Sequence, residues 1–175
     1  MDTRTKLISA AEHLFDRHGF TATGMDRLTQ AAGMSSRTLY KHAGSKTALI
    51  TAVLTERDRR FQQRLEVHSV DALFGALEDW VRVEGSRGCL FLRAHGETGG
   101  EIPEIAEAVS AHKARLGEKI REIVTLETGG EGDQALAEQI LILFEGATAA
   151  AVYRGAEAVA TARDAAAILV ERARS

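Results

Sequence analysis

Ser36, Arg37, Thr38, Tyr40, Lys41 and His42 crowd into the run GMSSRTLYKHAGSK at 33–46, which Lys46 closes. Hydroxyl, guanidinium, ammonium and imidazole groups together make a dense set of hydrogen-bond donors. On a helix, such donors suit a surface rich in phosphate oxygens and base edges. The same residue types also make an ordinary solvated helix face. The choice between these readings turns on the elements that hold the run in place.

Leu7, Ala10, Ala11, Leu14 and Phe15 recur at steps of three and four, which predicts an amphipathic helix over about 3–18. Gly19 stops it, with Phe20 folding back. Thr23 and Asp26 read as a capping box opening a short second helix that carries Leu28 and Ala32. Gly33 ends that helix and supplies the backbone freedom for a sharp turn. Ser35 caps a third helix to about His42, and Ser45 opens a long fourth helix reaching about residue 68. Met34 and Leu39 are expected to bury against Leu28 and the first helix, setting the crossing angle of a helix-turn-helix. The third helix then turns Ser36, Arg37, Tyr40 and Lys41 outward, in a form suited to the DNA major groove.

The stretch LISAAEHLFDRHGFTATGMDRLTQAAGMSSRTLYKHAGSKTALITAVL, residues 7–54, resembles the DNA-binding domain of TetR/AcrR-type bacterial transcriptional repressors. The resemblance implies that Ser36 and Arg37 face base edges, and that Thr38 and Tyr40 meet phosphates or the groove wall. It further implies that Lys41 and His42 lie at the flank, and that Lys46 grips a phosphate from the first turn of helix four. GCLFLRAHGE at 88–97, AHKARL at 111–116 and ILILFEGATAAAV at 140–152 resemble ligand-domain segments of a broad TetR subgroup. The chain departs from the family pattern where Ala43 and Gly44 replace an aromatic and often a proline. A buried ring exchanged for alanine costs about 3–5 kcal/mol unless the space is refilled, so a less rigidly held reading helix is expected. Thr29 also stands where a small alanine commonly packs.

The rest of the 175-residue chain is helix-forming throughout, with a single proline, Pro103, and no convincing alternating strand. Helices are predicted at about 71–84, from about 89 to 97, and at 104–126, 133–153 and 161–174, with loops at SRG (86–88), GETGGEI (96–102) and TGGEGD (128–133). Residues 1–64 carry 11 Lys+Arg against 6 Asp+Glu, whereas 65–175 carry 11 against 19. A basic front on an acidic body fits an anionic partner at the front. Arg57, Arg59, Arg60 and Arg64 extend that basic run, and the expected state is a solvated face paired with neighbours such as Glu56 and Asp58.

The helix at 133–153 is apolar on two faces. Leu136, Ile140, Leu143 and Ala147 form one stripe, and Leu141, Phe144, Thr148 and Val152 another. One face suffices for a monomer's edge, so the pattern predicts a two-fold homodimer through Leu136, Ile140, Leu143, Ala147 and Ala150, with Ala166 and Leu169 from the last helix. A buried core helix gives the same pattern. The family resemblance implies an effector pocket among the middle helices of the second domain. Its candidate lining is Trp80, Phe91, Leu116, Phe144 and Tyr153, with Cys89, Arg93, His95, Glu97 and His112 as polar or reactive groups. Each aromatic taken alone reads equally well as core. HGE at 95–97 with His112 lacks a recognised metal-ligand spacing, and Cys89 in GCLFL reads as a small buried hydrophobe.

A lone cysteine fits a reducing cytosol, and the opening segment has no apolar signal core. The longest strongly apolar run, ILILF at 140–144, is far short of a membrane span. No nucleophile–base spacing, phosphate loop or paired carboxylates point to an enzyme, and neither cofactor nor metal is expected. The expected architecture is all-α, with a helix-turn-helix DNA-binding domain at 1–46 and a ligand-binding and dimerisation domain at 47–175. The expected function is that of a cytoplasmic, homodimeric repressor that binds a palindromic operator and releases it to a small-molecule effector. The rivals are a helical-bundle enzyme and a constitutive architectural DNA-binding protein.

Overall fold

The computed structural model describes residues 2–85, 87–129 and 133–174, and within these every regular element is a helix. In chain order they are α1 (Thr3–His18), α2 (Met25–Ala32), α3 (Ser36–Ala43), α4 (Lys46–Arg64), α5 (Val70–Glu84), α6 (Leu90–Glu97), α7 (Pro103–Thr128), α8 (Gln134–Arg154) and α9 (Ala156–Arg174). Packing divides the chain into two units, one of Met1–Arg59 with Leu90–His112 and one of Arg60–Cys89 with Lys113–Ser175. The first unit thus takes in more than the three N-terminal helices. It also holds α6, most of α4 and the start of α7.

Local sequence explains most element boundaries. Asp2 caps α1, its Oδ1 accepting from the Arg4 and Thr5 amides at 2.6 and 3.1 Å. Those Thr5 and Arg4 hydrogen bonds hold the Asp2 carboxyl below its ordinary range. Gly33 ends α2 in the left-handed conformation (φ 62°, ψ 42°). Its N–H and that of Met34 turn back to the carbonyls of Gln30 and Thr29, both at 3.1 Å, in a Schellman motif. The predicted capping box does not form. Thr23 is instead buried, donating through Oγ1 to the Gly19 carbonyl at 2.6 Å, and Gly24 occupies the cap of α2 without a side-chain bond.

Two helices end differently from the sequence expectation. α4 stops at Arg64 rather than near residue 68, because the Val67 amide closes tightly on the Leu65 carbonyl at 2.8 Å and Ser69 caps α5. α9 starts at Ala156, since Gly155 alone (φ 63°, ψ −150°) breaks the path between α8 and α9. Of the predicted loops, Ser86 and residues 130–132 lie outside the described residues.

The second unit's core gathers Phe61, Phe74, Leu77, Trp80, Leu116, Ile120, Ile140 and Phe144, among others. Its rings meet edge-on, Phe61 to Trp80 at 5.2 Å and 78° and Phe61 to Phe144 at 6.2 Å and 74°. α5, α8 and α9 pack against one another. α8 is long and apolar enough by composition to cross a membrane, in contrast to the reading from its apolar run alone. Its buried residues, Leu136, Ala137, Ile140, Phe144, Ala147 and Ala151, form one face of this core. Arg163 of α9 grips Asp71 of α5 through two bonds of 2.6 and 2.5 Å, which hold the Asp71 carboxyl below its ordinary range.

Candidate nucleic-acid interface

α3 is seated by Leu39 and Ala43, both buried, while Ser36, Arg37, Tyr40 and Lys41 are exposed and Thr38 and His42 half-buried. This is the division that a helix with one apolar ridge imposes. Ser35 caps it, accepting from the Thr38 amide at 3.2 Å, and its hydroxyl also meets that of Thr38 at 2.9 Å. Thr38 is therefore partly engaged within the cap. Tyr40 stands 51% exposed, a large ring held in solvent. Exposed Arg37 and Lys41 lie on the same helix, so this face presents an aromatic hydroxyl and two cations to solvent.

The seat rests on α1 and α2. Phe15 and Phe20 are fully buried and stack at 5.0 Å, fixing the corner where α1 gives way to α2. Leu28 and Ala32 lie inside, Met34 half inside, and Thr29 returns its hydroxyl to the Met25 carbonyl at 2.8 Å. The chain then leaves α3 through Gly44, at φ 73° and ψ −71°, where the Ser45 amide bonds the Ala43 carbonyl at 2.9 Å. That is a positive-φ γ-turn, rare and strained for any residue with a Cβ. Gly44→Ala is expected to lower the stability of this unit by about 1–3 kcal/mol, read as a lower urea midpoint for loss of helical circular dichroism. Ser45 then caps α4 through the Ala48 amide at 3.0 Å. Lys46 follows, its Nζ donating to the Thr21 carbonyl at 3.2 Å.

The residues assigned in sequence to an effector pocket do not fall in one unit. Trp80, Leu116 and Phe144 belong to the second unit's core, and Cys89 of that unit lies 3.5 Å from Lys113 Nζ, which is paired to Glu145 at 2.6 Å. Phe91, Arg93, His95, Glu97 and His112 belong to the first. There Phe91 stacks on the His112 ring at 3.6 Å, and His112 Nδ1 meets Asp58 at 2.6 Å, all three buried. Arg93 donates to Asp16 Oδ1 at 3.1 Å and to the Phe15 and Asp16 carbonyls, satisfying the end of α1. Glu97 accepts from the Phe20 and Thr21 amides at 2.6 and 2.9 Å. His95 is exposed with its ring lying over Gly100, where a Cβ would come within 2.7 Å. Within the first unit, these side chains hold protein groups.

The basic run on α4 divides in the same way. Arg57 is buried against Glu12 of α1 at 2.9 Å, so it is not the solvated residue that its neighbours suggest. Arg59 pairs with Glu56, Arg60 with Glu84, and Arg64 lies over the Trp80 ring. Of the dimer-face candidates, Leu136, Ile140, Ala147 and Ala166 are buried in the second unit's own core, while Leu143, Ala150 and Leu169 are half-buried. The apolar face left open on these helices carries Ile142, Ala149, Val152 and Tyr153 on α8 and Ile168 on α9.

Residues 7–53 match the sequence profile of bacterial regulatory proteins of the tetR family. The HTH-type transcriptional regulator UidR of Escherichia coli K12 is 38% identical over 74 residues, covering 39% of this chain and 38% of that protein. The HTH-type transcriptional activator FasR of Mycolicibacterium smegmatis is 42% identical over 53 residues, covering 30% of this chain and 24% of its own length. The chain thus aligns with well under half of these curated relatives. A TetR-family transcriptional regulator from Streptomyces coelicolor superposes with a TM-score of 0.89 at 26% identity, over 99% of this chain and 96% of that one. All three are named as regulators, not enzymes. The N-terminal match, the helix-turn-helix geometry and the likeness in fold converge: residues 7–53 are similar to bacterial regulatory proteins of the tetR family, and the chain along its length is similar in fold to a TetR-family transcriptional regulator.

Proposed function

We propose that this chain is a DNA-binding transcriptional repressor that grips a palindromic operator as a homodimer and releases it when a small molecule binds the second unit. The observation that supports DNA binding best is the capped α3, with Arg37, Tyr40 and Lys41 in solvent and Leu39 fully buried beneath them. Ser36 and Arg37 read base edges, Tyr40, Lys41 and Lys46 hold phosphates, and Thr38 and His42 border the contact. A palindrome needs paired reading helices, hence a two-fold dimer. The open face of α8 and α9 supports that pairing, with Ile142 68%, Tyr153 80% and Ile168 66% exposed. Leu143, Ala150 and Leu169 flank it.

The effector's apolar contacts are proposed at Trp80, Leu116 and Phe144, with Cys89 as a more polar group of the same unit. Sites of this kind are mainly apolar with few polar anchors. Release is a population shift, driven by whatever difference in affinity the effector has for the two states. One similar protein is named as a transcriptional activator, so the sign of regulation needs its own test. Repression predicts that a reporter driven from the bound promoter rises when this chain is removed; a fall would make it an activator.

A gel shift with the DNA upstream of the chain's own gene tests the core of this reading. A salt-sensitive complex that survives random competitor at moderate salt is expected. Tyr40→Ala and Lys46→Ala should weaken binding to all sequences. Arg37→Ala should cost about 1–3 kcal/mol and change the preferred base as well. If no fragment outcompetes random DNA, the reading fails. For the dimer, Ile142→Glu with Ile168→Glu should convert a two-chain species to a monomer in sedimentation and weaken operator binding in step. A variant that still sediments as a dimer moves the interface elsewhere.

A further inference from the structure

We infer that Glu97 of α6 is a positioning residue for DNA binding, acting on the phosphate-gripping Lys46 through the corner at residues 19–21. The inference rests on the DNA-binding reading above. All of its parts lie in the first unit. One carboxylate oxygen, Glu97 Oε2, accepts from two successive backbone amides, Phe20 at 2.6 Å and Thr21 at 2.9 Å. Two N–H groups converging on one anion form the kind of backbone concavity that holds a negative charge firmly. The Thr21 hydroxyl adds a bond to the Glu97 carbonyl at 3.3 Å.

The corner is shaped for this grip. Gly19 adopts φ 85°, and a Cβ there would come within 2.9 Å of Glu97 Oε2. Glycine is favoured here by the positive φ, and a Cβ would in addition press on the carboxylate. Thr21 then faces Lys46 on its other side, its carbonyl accepting from Nζ at 3.2 Å. Glu97 thus holds the two amides of a corner whose next carbonyl fixes the ammonium. That bond uses one of the three ammonium donors and leaves two for phosphate oxygens. Arg93, four residues earlier on α6, holds the Phe15 and Asp16 carbonyls at the end of α1. α6 therefore grips both the last carbonyls of α1 and the first amides after it. A displacement of α6 is passed to the phosphate contact by way of the backbone.

The test uses the full chain, the operator fragment found by gel shift, and titration of salt. Glu97→Ala and Lys46→Ala should each lower the slope of log affinity against log salt by about one. Glu97→Gln keeps one oxygen able to accept both amides, so it should retain most of the wild-type slope. In the Lys46→Ala background, Glu97→Ala should cost little more. An unchanged slope for Glu97→Ala, or full additivity with Lys46→Ala, overturns the relay and leaves Glu97 a plain structural contact. Amide hydrogen exchange reads the grip without DNA. Protection at Phe20 and Thr21 should be lost in Glu97→Ala and kept in Glu97→Gln. Equal exchange in all three proteins overturns the inference even where DNA binding stands. Failure of the wild type to bind any operator removes the functional reading instead, whatever the exchange shows.

Discussion

Phe144→Ala is expected to destabilise the second unit by about 3–5 kcal/mol. The side chain is 2% exposed and lies 6.2 Å from the Phe61 ring and 6.0 Å from Phe74. Removing it takes away a large apolar area and leaves a void bounded by rings that cannot collapse freely. Domain stabilities of about 5–15 kcal/mol make such a loss severe. Trp80, the single tryptophan, belongs to the same core, so its fluorescence reports the loss as a lower urea midpoint. Phe144→Leu should fall between the two proteins. A midpoint that hardly moves would mean that Phe144 is not tightly packed against Phe61 and Phe74.

Glu12→Leu should cost the first unit about 3–5 kcal/mol by withdrawing a carboxylate from Arg57 in the interior. The pair is 2.9 Å apart, with the two side chains 6% and 12% exposed. A buried cation that loses one counter-charge keeps its desolvation cost and loses part of the compensating attraction. The double change Glu12→Leu with Arg57→Met removes both charges and should recover most of the loss. Circular dichroism in urea, with hydrogen exchange along α1, checks both variants. A double variant as unstable as the single one would show that Arg57 matters for reasons other than this pair. Operator affinity should follow the stability of the unit, because Glu12 lies on the helix that supports α3.

The front of the molecule was legible because its signals are local. Gly19, Gly33 and the Ser35 and Ser45 caps act on residues within a turn or so of themselves, and α1, α3 and the start of α4 lie where they place them. The outward face of α3 follows from Leu39 as its inward ridge. Arg57 departs from the expectation because its position on the helix outweighs its residue type. It stands four residues before Phe61 and three after Leu54, both buried, hence on the apolar face of α4. His112 sits likewise between Val109 and Leu116, also buried. Their partners, Glu12 and Asp58, are 45 and 54 residues away in sequence, beyond any spacing rule. The grip of Glu97 spans 77. On α8, apolar residues on every side gave two stripes of equal standing, and only packing against α5 and α9 decides which is inside.

The discontinuity of the first unit has a consequence for the order in which the protein matures. Translation proceeds at about 5–20 residues per second, and the unit joins Met1–Arg59 to Leu90–His112. The segment α1 to α3 is made first, but the full set of Arg93, Glu97 and His112 is complete only roughly 3 to 10 s after Arg59 has been added, by the same rate. During that interval the α1–α2 corner has no anion on its amides, and Asp58 has no imidazole beside it. The α8–α9 pair has the opposite character, with its helices separated by Gly155 alone and able to associate once both are made. Nascent chains halted before residue 90 should therefore carry α1 to α3 in an exchange-labile state, and chains halted beyond 112 should not.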